Sequence, residues 1–167
     1  MKKLIVFAIA ILGFTAVSFG QVSATATATG TIVTPIAIAN AGDMNFGNVA
    51  VSATGGTVIL APAGTRTITG GVTLTAAAGT VTAAKFNVTG TANYTYAITL
   101  PATATTVTSG ANTMTVTGFT STPTPTGTLS GAGAQQILVG ATLNVAALQA
   151  AGTYISGTPF TVTVNYN

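Results

Sequence analysis

Phe160-Thr161-Val162-Thr163-Val164-Asn165-Tyr166 alternates apolar and polar side chains at every position. A period of two places Phe160, Val162, Val164 and Tyr166 on one face of a strand and Thr161, Thr163 and Asn165 on the other. The same period runs through Tyr94, Tyr96, Ile98 and Leu100, and through Ile137, Val139, Ala141, Leu143 and Val145. Weaker candidates are residues 32–38, 57–61, 67–69, 72–75, 85–89 and 114–119, where Thr and Val supply the β-branched side chains that suit a pleated surface. Between them stand turn signals: Gly55-Gly56, Pro62-Ala63-Gly64, Gly70-Gly71, Pro101, Ser109-Gly110, the Pro123/Pro125 stretch and Gly131-Ala132-Gly133. The one helical possibility, residues 145–151 closed by Gly152, sits between two strong strand patterns and reads as a loop or a single turn. Many short strands with regular punctuation predict an all-β sandwich or barrel.

Upstream the pattern changes twice. Met1-Lys2-Lys3, an apolar run over residues 4–14 and Ser18-Phe19-Gly20 match the basic, hydrophobic and small-residue regions of a signal peptide. The run is short of the roughly 20 residues a spanning helix needs. Residues 1–20 are therefore read as a leader cleaved before Gln21, which predicts export to the cell surface or beyond. Residues 21–34 form an arm: Val22, Ala24, Ala26, Ala28 and Ile32 share one face, Thr and Ser fill the other, and no turn signal appears before Gly30. Residues 35–167 make the folded domain.

Charge excludes most function classes. The chain has 167 residues, Lys+Arg 4, Asp+Glu 1, no His and no Cys, a formal net charge of 4 − 1 = +3. Without Lys2 and Lys3 only Arg66, Lys85 and Asp43 remain, for 2 − 1 = +1. Nucleic-acid binding needs clustered cations, which are missing. General acid–base catalysis needs paired titratable groups, and zinc or calcium needs a set of His, Cys or carboxylate ligands. The expectation is a non-enzymatic protein with no cofactor, no metal and no small-molecule substrate. Stability must come from a core of eight aromatics (Phe46, Phe86, Tyr94, Tyr96, Phe119, Tyr154, Phe160 and Tyr166) with Leu, Ile and Val, padded by Ala.

The remaining charged residues admit bland readings. Asp43 reads as a turn residue whose carboxylate accepts backbone N–H groups, with an intramolecular amide crosslink among Lys85, Asp43 and an Asn as the sharper alternative. The Thr-x-Thr runs raise ice binding, but their spacing is irregular and a solenoid needs a fixed repeat. A small outer-membrane barrel would show long alternating strands with aromatic girdles, and the strands here are short.

Two stretches carry a resemblance. Pro35-Ile36-Ala37-Ile38 through Asp43-Met44-Asn45-Phe46-Gly47-Asn48-Val49 is one. Val139-Gly140-Ala141-Thr142-Leu143-Asn144-Val145, Ala151-Gly152-Thr153-Tyr154 and the final alternating strand are the other. Together they resemble a bacterial family of secreted domains of unknown function, similar in turn to the spore coat protein U and archaic chaperone–usher pilin group. The resemblance implies an immunoglobulin-like, pilin-like β-sandwich that serves as an adhesive or biofilm fibre subunit. It also implies partners: other copies or related subunits, with a periplasmic chaperone and usher. In that group a neighbour's arm completes each sandwich, which would make Val22, Ala24, Ala26, Ala28 and Ile32 the donor face. The alternative is a monomeric secreted binding module of the same fold.

Overall fold

The computed structural model describes residues 20–167, so the predicted signal peptide lies outside the described residues except for Gly20. The chain divides into two units, Met1–Ile32 and Val33–Asn167. In the first, residues 20–32 are exposed and belong to no strand.

The second unit is all-β. Its strands are β1 (Ala37–Gly42), β2 (Asn45–Phe46), β3 (Val49–Leu60), β4 (Arg66–Leu74), β5 (Val81–Thr82), β6 (Ala84–Thr89), β7 (Thr95–Thr99), β8 (Thr105–Ser109), β9 (Asn112–Thr122), β10 (Thr126–Thr128), β11 (Ala134–Val145), β12 (Ile155–Ser156) and β13 (Thr163–Tyr166). One large sheet runs β1-β6-β11-β9-β8-β12, with β3 also laddered to β11 and β4 to β3; β10-β7-β13 form a second sheet and β2-β5 a third. The stretch predicted as a possible helical turn is a tight turn at Ala147-Leu148, without helix.

β11 organises the domain because it changes neighbours halfway. Its first half, from Ala134 to Val139, pairs with β6, and its second half, from Ala141 to Val145, pairs with β3. Between the halves sits Gly140, where any Cβ would strike the backbone at Leu60 and Ala61 as β3 closes in. Opposite, β9 carries an extra residue at Gly118-Phe119, with Gly118 at φ 59, so a glycine bulge bends the sheet where the neighbours change.

This bend produces two cores. One gathers Val88, Ile137 and Val139 from the large sheet against Tyr96, Val162 and Val164, with Leu129 closing it. The other lines the inner face of β3, β4, β9 and the end of β11 with Val58, Val72, Met114, Val116, Leu143 and Val145. Each fully buried Val, Leu or Ile contributes about 1.5–3 kcal/mol. Tyr96 is the largest buried side chain, at 0% exposure. Its hydroxyl donates to Gln135 Oε1 at 2.6 Å, and the same oxygen accepts from Thr128 N at 2.9 Å. Burial pushes the Tyr96 phenol above its usual value.

Candidate assembly surfaces

The predicted donor face lies on the exposed arm. Val22 is 96% and Ile32 100% exposed, and Ala24, Ala26 and Ala28 between them are exposed as well.

The final strand is shorter than its alternation predicts. The sequence pattern starts at Phe160, whereas β13 starts at Thr163; Phe160 and Val162 lie in the preceding extended segment. Pro159 removes a ladder N–H just upstream, and Phe160 is held by packing instead, its ring 4.9 Å from Phe119 and 6.2 Å from Phe86. Val162 and Val164 are buried, and Phe160 and Tyr166 are half-buried against the same core. β13 ladders with β7 alone, so among the described residues its other edge has no partner strand.

Tyr166 ties this strand to the start of the domain. Its hydroxyl accepts from Thr91 N at 2.7 Å and donates to Thr34 O at 2.8 Å, while its ring stands edge-on to Tyr94 at 5.5 Å. The last residue of the final strand's apolar face thereby fixes the backbone at Thr34. Tyr166→Phe removes both bonds and leaves the part-buried Thr91 N–H without its acceptor, so it is expected to cost about 1–3 kcal/mol, read as a lower urea midpoint with an unchanged slope. An unchanged midpoint would show that the latch contributes nothing.

A feature that single-residue punctuation did not reveal lies between β7 and β13. The two strands pair Thr99 with Thr163, and β8 and β12 pair Val107 with Ser156 and Thr108 with Ile155. Both pairs belong to one antiparallel ribbon that crosses from the second sheet to the first with a slip of one residue. In between, residues 100–106 and 157–162 separate, and among the described residues no backbone hydrogen bond joins them. A cleft of about 580 Å³ opens there, lined by Pro101, Thr103, Thr105, Pro159, Phe160 and Thr161 among others. Pro101 and Pro159 stand on opposite walls, and neither can donate to a ladder. Pro101 was legible as a break; that Pro159 faces the same breach required the register.

Arg66 and Asp43 make hydrogen bonds within the domain. Arg66 Nη1 donates to Phe46 O at 2.6 Å and Asn48 O at 3.2 Å, which clamps the Asn45-Phe46-Gly47-Asn48 segment onto β4. The Asp43 carboxylate does not accept backbone N–H groups as predicted: Oδ1 accepts from Asn40 Nδ2 at 2.8 Å, because the Asn40 side chain is already folded into the turn by its bond to Gly42 N at 2.7 Å. Lys85 pairs in register with Gly42, which brings Asn40, Asp43 and Lys85 to one corner. All three are exposed, whereas amide formation between side chains needs a site closed to water.

Comparison with curated proteins and with solved structures returns no match. A family model described as Domain of unknown function (DUF4402) matches residues 36–166. The matched span begins beside β1 and ends on Tyr166, so it contains both cores, the Arg66 clamp, the ribbon breach and the final strand. The arm precedes it. With most of its length covered by that model, the chain belongs to the DUF4402 family of unknown function.

Proposed function

We propose that this chain is a non-enzymatic, exported structural protein whose domain is an immunoglobulin-like sandwich and whose copies join by strand donation from the N-terminal arm, forming adhesive fibres at the cell surface. The observation that carries the reading is the arm itself: alternating side chains, large apolar residues at 96% and 100% exposure, and no strand partner among the described residues. The packing of β6 and β11 against β7 and β13 around one core supports the sandwich. Unpaired ladder groups on the domain, at β13 and in the breach, supply the complementary half of a β-augmentation contact. Export would place assembly in the periplasm, where a chaperone would cover the acceptor until an usher exchanged it for an arm.

The test is Ala26→Asp. A carboxylate at the centre of the donor face costs several kcal/mol if that face is buried between copies and almost nothing if it stays in water. Filaments or oligomers of the exported protein are expected to disappear with this substitution while the domain's urea midpoint stays put. Normal assembly of Ala26→Asp would contradict strand donation and favour the monomeric binding module.

A further inference from the structure

We infer that the breach between residues 100–106 and 157–162 is the receiving site for the arm of a second copy, residues 23–28 lying between the two walls as an added strand. The inference rests on the proposed strand donation and names where the strand goes.

Four observations converge on it. The first is the number of ladder edges. A strand added to the outer edge of β13 gains hydrogen bonds on one side, whereas the breach offers unpaired backbone on both, and Thr105 and Thr106 are already held rigidly from behind by β9. Each ladder bond adds a favourable increment, so two walls outweigh one.

The second is that the breach is encoded by sequence. The ribbon is paired on either side of it with a one-residue slip, and Pro101 and Pro159 both lie in its unpaired middle. A proline on each wall stops the walls from pairing with each other but leaves most of their remaining N–H and C=O groups free for an incoming strand.

Dimensions and side chains give the third. Six residues of strand span about 20 Å, the length of the shorter wall, and Ser23-Ala24-Thr25-Ala26-Thr27-Ala28 is six residues long. The arm's small side chains suit a cleft of about 580 Å³, with Ala24, Ala26 and Ala28 toward the Phe160 side and Thr25 and Thr27 meeting the hydroxyls of Thr103, Thr105 and Thr161.

Charge is the fourth. Neither the arm nor the walls contain an ionisable side chain, so no charge is stripped of water on docking. In one chain the arm's apolar residues are exposed and the ribbon's middle is unpaired; a second copy supplies each with the other.

Because the chain has no cysteine, engineered pairs report contact directly. Cysteines are placed at 25 or 27 (Thr25→Cys, Thr27→Cys), on the arm face that meets Thr161, each combined with Thr161→Cys on the breach wall or with Asn165→Cys on β13, in the mature protein. Oxidised samples are run as a denaturing ladder, and urea midpoints are matched to confirm the fold. At least one arm position is expected to give intermolecular ladders with Thr161→Cys in at least tenfold higher yield than with Asn165→Cys. Ladders from Asn165→Cys but not Thr161→Cys would overturn the breach while leaving strand donation intact. A crosslink inside single chains would overturn the second copy as occupant. Folded variants that crosslink at neither site overturn the inference, and if the arm-deleted chain also assembles as well as the intact one, strand donation falls with it.

Discussion

Removing residues 21–31 is expected to leave a domain that folds and unfolds as before but stays monomeric at every concentration where the intact mature chain assembles. No residue of this segment belongs to either core, and the domain's own unit begins at Val33. Stability should therefore move by no more than a few tenths of a kcal/mol. Assembly, by contrast, loses its whole ladder: four or five hydrogen bonds at about 1 kcal/mol each weaken association by about a thousandfold or more. Sedimentation over a concentration series checks the second effect and urea unfolding the first. A large drop in the urea midpoint would instead mean that the arm completes its own domain.

The largest effect on folding is expected from Tyr96→Ala, at about 3–5 kcal/mol. That is a large share of the roughly 5–15 kcal/mol that holds a domain together. The substitution empties the most deeply buried site of the first core and leaves Gln135 Oε1 with Thr128 N alone. Tyr96→Phe keeps the ring and should cost about 1–2 kcal/mol, separating the hydrogen bond from the volume. The phenol adds a pH signature. Burial raises its value in the folded chain above the ordinary phenol value of 10.0, so the stability it contributes is complete below pH 10 and declines as pH rises past that point. Wild type should thus lose stability on the alkaline side in a way that Tyr96→Phe does not, measured as urea midpoints from pH 8 upward.

Much of the fold was legible because alternation is a direct imprint of half-buried strands. Ile137, Val139, Ala141, Leu143 and Val145 all lie buried along β11, and Tyr96 and Ile98 face the core from β7. What failed were signals whose meaning depends on a partner. Gly55-Gly56 and Gly70-Gly71 read as turns, yet both pairs lie inside β3 and β4, where Gly56 faces Gly70 and their backbones approach too closely for a side chain. The hairpin turns instead at Pro62-Ala63-Gly64, with Gly64 N bonded to Ala61 O. The strand candidate at 32–38 yields to Pro35, and β1 begins at Ala37.

The candidate surfaces divided along the same line. Alternation marks Val162 and Val164 as one face residue by residue, and both are buried, whereas the arm's alternating residues belong to no strand. The breach could not be read this way, because a proline on one strand says nothing about a proline on another until the register sets them on facing walls. Arg66 is a similar case: an isolated cation in a Thr-rich strand gives no hint that it holds two carbonyls of a segment some 20 residues earlier.

The central claim is that the arm becomes a strand of another copy, and amide hydrogen exchange across residues 22–32 tests it most directly. In assembled protein these amides should exchange at least a hundredfold more slowly than in the dilute monomer, with successive residues of 23–28 protected because ladder bonds form on both sides of the strand. Exchange at the same solvent-limited rate in both states would contradict it.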